Sequence, residues 1–452
     1  MRNTSTDLTK GKVWKVIVRF ALPLLIGNLL QQLYNVTDSV IVGQFLGKEA
    51  LAAVSASFFI YYFIISFVIG VGSGTSVVIS QLFGAKQFQK VQLAFSSFFI
   101  FMLVGGVILS IAGIIFAEPV FRLTNTPEEV IPQAVAYFRI YIGGTFLFVT
   151  FNSIISILRG VGESVRPMIF ILITTILNIL LDLLFILVFK WGIEGAARAT
   201  VIAQGIGMCV ALAYVNNTHP LLSIKKQDML FDGKLFKESL KIGLPTSVQQ
   251  CAIALGLIAL LGIVNSFGTN TLTAYGAAGK IDTIITQAIL TLSGALAAFC
   301  GQNIGAGRLD RVKKGLRFTM YANIVLGLLT FAAVYLFGDA MMRIFTNDAD
   351  VIVIGKEYLL IICGFFIVHG ALNVYNGALR GAGDTLFPMV TSIVCLWIIR
   401  IPLAYSLSSW LGRSGIWWAI VASITIGLIV TFIYYKTGIW KRRCIIKDET
   451  SP

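Results

Sequence analysis

Residues 157–168 read ILRGVGESVRPM, and 221 residues later, at 378–389, the chain reads ALRGAGDTLFPM. The same spacing relates SQLFGAK at 80–86 to GQNIGAG at 301–307. Within one residue of it, FALPLLIG at 20–27 matches IGLPTSVQ at 242–249, and FRLTN at 121–125 matches MRIFTN at 342–347. The chain therefore reads as two copies of one half, and a repeat of that length decides the architecture before any single residue is weighed.

What each copy contains follows from composition. The 452 residues are 57% hydrophobic and only 12% charged, with a mean hydropathy of +0.86, far more apolar than a soluble domain. Apolar runs of about 20 residues, long enough to cross a hydrocarbon core of about 30 Å as a helix, recur throughout. A chain in lipid must satisfy its own backbone, so these runs are helices.

Twelve spans are expected, near 15–43, 51–81, 92–117, 132–158, 167–189, 195–215, 239–266, 273–302, 317–338, 354–379, 387–409 and 414–435. Six fall in each copy. An even number per copy gives both the same orientation, so a pseudo-two-fold axis along the membrane normal relates them. The predicted fold is an all-α polytopic membrane protein of twelve transmembrane helices in two six-helix lobes. Residues 1–215 form the N-lobe, 216–236 a polar cytoplasmic linker, 237–441 the C-lobe and 442–452 a cytoplasmic tail.

The net charge of +14 is topological. Most Lys and Arg lie in the tails and in the loops after even-numbered spans, while the opposite loops hold few, among them Lys48, Lys190 and Arg413. The positive-inside rule then puts both termini in the cytoplasm, with anionic lipid rather than nucleic acid as the partner of the basic residues. The N-terminus MRNTSTDLTKGKVWKVIVRF has no small-residue cleavage site, so the first span reads as retained. The six cysteines are scattered, without a CxxC, and suit packing. The chain has no nucleophile-base set, no Walker motif and no metal-ligand cluster, which argues against an enzyme, a cofactor or ATP-driven transport.

Polar groups inside the spans are then the informative residues. The fifth span, ILITTILNILLDLLFIL at 171–187, holds Asn178 and Asp182 at i and i+4; the first, in QQLYNVTDSVIVG, holds Tyr34 and Asp38 at the same spacing. A carboxylate at membrane depth is costly and nearly always faces a bundle interior or wet cavity. The repeat supplies a control: Asp38 falls opposite Ala259, Asn178 opposite Ile399, Asp182 opposite Leu403 and Thr200 opposite Ile420. Polarity needed only for packing would recur in both copies.

Asp38, Asp182, Asn178 and Thr200 are accordingly the candidate cation-coupling and substrate residues. Facing carboxylates can hold a proton, and the same oxygens can coordinate Na⁺; the residue types do not choose. Interhelical hydrogen bonding is the plain alternative. Tyr34, Pro23, Asn152, His369 and Asn373 are secondary cavity positions. Pro23 and Pro245 open equivalent helices. The glycines of IGVGSGTS read as close helix packing rather than a phosphate loop, the paired LRG motifs as loop geometry, and Lys280 with Asp282 as an interior pair or rim feature.

The opening LPLLIGNLLQQLYNVTDSVIVG, the stretch GVGSGTSVVISQLFGAK, the repeated LRGVGES and LRGAGDT, and LNILLDLLFI closely resemble the multidrug and toxic compound extrusion (MATE) transporters, in the bacterial MepA/DinF-like branch of the multidrug/oligosaccharidyl-lipid/polysaccharide exporter superfamily. The resemblance spans roughly residues 10–440. It implies a monomeric antiporter of the bacterial inner membrane that exports cationic or amphipathic organic compounds against inward H⁺ or Na⁺. It places the functional residues of the N-lobe at Asp38, Asn178, Asp182 and Thr200. The region matching the C-lobe cation site of another branch, IVHGALNVYNGALRG, offers His369, Asn373 and Asn376 but no carboxylate, which puts such a site in doubt. A flippase for a lipid-linked precursor and a non-transporting membrane scaffold are the alternatives.

Overall fold

The computed structural model describes residues 7–124, 126–219 and 221–445. All twelve apolar runs are helical. They are α1 (Val13–Gly47), α2 (Ala53–Gly84), α3 (Phe88–Leu123), α4 (Ile131–Gly143 with Thr145–Gly160), α5 (Val165–Val188), α6 (Gly192–Asn217), α7 (Gly233–Asn265), α8 (Thr269–Gly305), α9 (Leu309–Arg343), α10 (Ala349–Gly364 with Phe366–Gly381), α11 (Leu386–Leu411) and α12 (Ser414–Thr437). Among the described residues there is no strand. Ile108, Ile115, Leu328 and Leu336 are each more than half exposed, as lipid-facing side chains of a multi-pass membrane protein are.

Two spans are less regular than their hydropathy suggests. The pieces of α4 meet at 45° and those of α10 at 49°. In α4 the break falls at Gly143 and Gly144, where a Cβ on Gly144 would lie 2.4 Å from Val201 Cγ2, so the bend brings α4 against α6 more closely than any side chain permits. α5 and α11 each contain a π-helical stretch, Leu184–Val188 and Val394–Arg400, a wider winding that often marks functional sites.

The chain divides into two compact units. One contains Leu22–Gly243; the other contains Leu8–Ala21 together with the chain from Leu244 onward. The lead-in to each half is held by polar side chains of the other half, each set lying within one compact unit. In the first, Gln92 on α3 donates to Ser223 O at 2.7 Å and Asp228 O at 3.2 Å and accepts from Ser223 N at 2.9 Å, while Ser97 Oγ accepts from Asp232 N at 2.7 Å. In the second, Gln302 and Asn303 bind the backbone of Leu8, and Arg308 and Arg311 donate to the carbonyls of Thr9 and Gly11.

The repeated LRG motif is explained by packing, as its occurrence in both halves suggests. Arg159 donates to Asn28 Oδ1 at 3.5 Å, and its equivalent Arg380 donates to Gln249 Oε1 at 3.0 Å. The next residue lies against a neighbouring backbone: a Cβ on Gly160 would fall 2.8 Å from Ser76 O, and one on Gly381 2.5 Å from Ala297 O. Gly162 and Gly383 then turn the chain at φ of +89° and +90°, which favours glycine. The following acid accepts a tyrosine hydroxyl, Tyr214 to Glu163 at 3.0 Å and Tyr434 to Asp384 at 2.5 Å. Each motif thus fastens one loop to three other helices.

The first half adds a histidine to this fastening. His219 Nδ1 accepts the backbone amides of Leu221 and Leu222 at 3.2 and 3.1 Å, and its Nε2 lies 3.5 Å from Glu163 Oε1. Burial pushes its pKa down from 6.5 to about 4, and a ring nitrogen that already accepts two amides opposes the same proton. The sign follows by linkage: the folded pKa is depressed, so the contribution is whole above 6.5 and lost as pH falls from there toward 4. Protection of the amides of residues 221–232, measured relative to their intrinsic exchange rates, should fall across that window and stay constant above it. A His219→Asn variant with the same acid response would exclude this histidine as the cause.

Candidate cation-coupling site

In the N-lobe, α1, α5 and α6 bring the expected residues together. α5 is apolar along its outer side, Ile176, Leu180 and Leu187 being exposed, so the i, i+4 pair Asn178 and Asp182 turns inward; both are buried. Thr200 on α6 is buried beside them. Its Oγ1 accepts from Asn178 Nδ2 at 3.2 Å and from Tyr34 Oη at 3.3 Å, so one hydroxyl joins α1, α5 and α6. Asp38, one turn beyond Tyr34, is half-buried, and its carboxyl group lies within hydrogen-bonding reach of the Asp182 carboxyl.

The bonding is incomplete in one respect. Neither oxygen of Asp182 receives a hydrogen bond from a donor, and Asp38 Oδ1 and Asn178 Oδ1 are likewise buried without a partner. A bond between the two carboxyls needs one shared proton. Neither acid forms an ion pair with a basic side chain among the described residues. Each buried acceptor left unmade costs about 1–3 kcal/mol, and four such oxygens lie in one place. A proton or a small cation is the species that acceptor-only oxygens take.

Aromatic rings wall this cluster. Tyr137 and Tyr141 stack with centroids 5.5 Å apart and an interplanar angle of 14°, and Tyr61 meets Tyr141 edge-on at 4.3 Å. Tyr137 lies close enough to Asp38, Tyr34 and Asp182 to interact with each electrostatically. None of the three was singled out by residue type. Tyr137 and Tyr141 do stand at i and i+4, the spacing that distinguishes Asn178 and Asp182, but in YFRIY, where the exposed Arg139 interrupts the apolar run between them.

The secondary positions divide. Tyr34 belongs to the cluster through Thr200. Pro23 is half-buried in α1, three turns before Tyr34. Asn152 and Asn373 are equivalents in the repeat and make the same local bond, to Phe148 O and His369 O, each at 3.0 Å and one turn back. His369 lies in the C-lobe, with Arg400 as its charged neighbour. Lys280 and Asp282 do not pair: Lys280 is exposed over the Phe345 ring at 5.8 Å, whereas Asp282 is bonded by Thr286 and Tyr358. Among the described residues, no group of three or more His, Cys, Asp or Glu side chains could hold a metal ion.

Comparison with known proteins matches both halves. The MatE family model fits residues 23–184 and again 245–406. The probable multidrug resistance protein YpnP of Bacillus subtilis is 35% identical over 447 residues, covering 98% of this chain and 99% of that protein. YoeA of the same organism, also named a probable multidrug resistance protein, is 31% identical over 449 residues, covering 97% and 96%. A multidrug resistance MATE family transporter of the MOP superfamily, solved in an outward-facing conformation, superposes with a TM-score of 0.90 at 25% identity, covering 97% of this chain and 99% of that one.

Proposed function

The chain belongs to the MatE family, and on that premise we propose that it is a proton-coupled antiporter exporting cationic or amphipathic organic compounds by alternating access. The observation that carries this reading is the facing pair Asp38 and Asp182, with neither acid balanced by a basic group. The pair holds either a shared proton or an organic cation. Entry of a proton lowers the affinity for the cation, and departure of the cation leaves the acids free to be reloaded. The stacked Tyr137 and Tyr141, with Tyr61 and Tyr34, offer ring faces and edges to a flat cation.

The proton is preferred to Na⁺ because Thr200 Oγ1 already accepts two hydrogen bonds, which leaves a cation only Asp38, Asp182 and Asn178 Oδ1 as ligands. A hard cation wants more oxygens than these. The unpartnered Asn178 Oδ1 is the one observation that favours Na⁺. The basic residues of the tails and of alternate loops support cytoplasmic termini, and with the family they support residence in a bacterial inner membrane as a monomer.

Dye efflux tests the reading directly. Everted vesicles holding the protein should move a fluorescent organic cation under an imposed pH gradient and not under a Na⁺ gradient at clamped pH. Movement under the Na⁺ gradient alone would transfer coupling to Na⁺ at the same acids. Movement under neither gradient would remove the exporter reading.

A further inference from the structure

A second charged group at membrane depth lies in the C-lobe, in the run CLWIIRIPLAY of α11. Arg400 stands fifteen residues into the 26-residue span and ends its π-helical stretch. The face it occupies is the inner one: Leu396 and Ala404, one turn before and after, are buried, while Trp397, Ile398 and Tyr405 are exposed. Apart from Cys395 on α11 itself, its neighbours belong to other C-lobe helices. Nε donates to Ser423 Oγ on α12 at 2.8 Å, and Tyr275 on α8, Tyr358 on α10 and Cys395 lie within its electrostatic reach, as does His369.

No carboxylate pairs with this guanidinium among the described residues. The nearest candidate in kind, Asp282, is engaged elsewhere, accepting from Thr286 at 3.2 Å and Tyr358 at 3.4 Å. Among the described residues neither Nη group of Arg400 is hydrogen-bonded, and neither is counted with the buried unpartnered atoms, so the fork of the guanidinium is left accessible to a ligand. The two arginines of the LRG motifs differ: each has a side-chain oxygen partner for its Nη2. Aromatic rings lie alongside, Tyr275 stacked on Trp417 at 5.5 Å and 3°, and Tyr358 edge-on to Trp417 at 4.9 Å.

The repeat makes the position specific. Arg400 falls opposite Ile179, just as Asp182 falls opposite Leu403. The fold does not need a cation there any more than it needs an acid at 403. An unpaired arginine at membrane depth marks a substrate path by default, and its fork of donors matches the two oxygens of a carboxylate or phosphate.

We propose that Arg400, flanked by Ser423 and the aromatic group of Tyr275, Tyr358 and Trp417, forms an anion subsite in the C-lobe that takes the carboxylate or phosphate of an amphipathic organic substrate. This rests on the reading of the protein as an exporter and widens its substrates from cations to compounds that also carry an acidic group.

Two dyes that differ only in the free acid test it. Rhodamine B keeps a carboxylate; its ethyl ester does not. In nanodiscs, with dye polarisation as the readout and size-exclusion profile as the check on folding, Arg400→Gln should weaken rhodamine B about tenfold or more and the ester by less than about twofold. Arg400→Lys should fall between, since an ammonium supplies charge without the fork. Competition by a polyprenyl phosphate distinguishes the source. If it displaces the ester from wild type but not from Arg400→Gln, while rhodamine B shows no dependence on Arg400, the subsite is one for a lipid phosphate.

Equal weakening of both dyes would make Arg400 a brace of the lobe and overturn the proposal. So would binding of all three probes unchanged by Arg400→Gln. Efflux of the ester in vesicles separates this from the wider reading. Efflux with no Arg400 dependence of any probe leaves the exporter without the subsite. Arg400-dependent binding with no efflux under any gradient leaves the subsite without the exporter.

Discussion

Asp182→Asn is expected to abolish gradient-driven efflux while the protein still folds. The substitution keeps the volume of the side chain and removes the only group that can hold a proton opposite Asp38 without a hydrogen-bond donor of its own. Asn at 182 can donate to Asp38, so the two side chains no longer share a proton between two acids. Efflux in proteoliposomes is expected to drop to the rate of protein-free liposomes. Asp38→Asn should do the same, and the double variant should be no worse than either single one, because a coupled pair fails as a unit. Affinity for an organic cation should fall too, by about 2–5 kcal/mol if the pair is the buried counter-charge. Asn152→Ala serves as the contrast, since Asn152 bonds only to its own helix and has a twin in Asn373. Near-normal efflux in both Asp variants would remove the coupling role from the N-lobe.

That contrast turns on how the sequence encodes this fold. Twelve spans were legible because lipid punishes polarity along the whole of a crossing helix, and two lobes were legible because the halves still share LRG-x-G-acid. The candidate cluster was legible for the opposite reason. Asp182 and Thr200 stand in one half where Leu403 and Ile420 stand in the other, so a packing need common to both halves does not account for them. Read from the second half toward the first, the same comparison finds Arg400 opposite Ile179.

Other features have no periodic signal. The bends at Gly144 and Phe365 and the π-helical stretches after Asp182 and before Ile401 depend on how neighbouring helices meet. Tyr61 lies in FFIYYFII, where nothing but the fold separates a ring at the site from a ring in lipid. The membership of Leu8–Ala21 with the later half of the chain depends on contacts of Gln302, Asn303 and Arg311, partners some 300 residues away that no local pattern announces.

The glycines of IGVGSGTS support a second large effect, on assembly rather than transport. A Cβ on Gly74 would lie 2.4 Å from Gly243 N, 2.5 Å from Gly243 Cα and 2.7 Å from Ser239 O, and one on Gly243 would lie 2.7 Å from Val71 Cα. α2 and the start of α7 therefore touch backbone to backbone. No flexible side chain can yield, so a side chain at 74 must push one helix off the other. Overpacking with a few methyl groups costs about 1–3 kcal/mol where side chains can adjust, and here the cost should reach the top of that range. For a chain of this size that lowers the melting temperature of Gly74→Val by about 3 °C. Gly105 has nothing within 4 Å of its Cβ position, so Gly105→Ala should melt within about 1 °C of the parent. A phosphate-binding loop would behave in the reverse way, tolerating a side chain in the absence of ligand and losing nucleotide affinity. Gly74→Val with an unchanged melting temperature would therefore argue against the helix contact and reopen the loop reading. A drop confined to Gly74→Val and Gly243→Val assigns these glycines to the α2–α7 crossing.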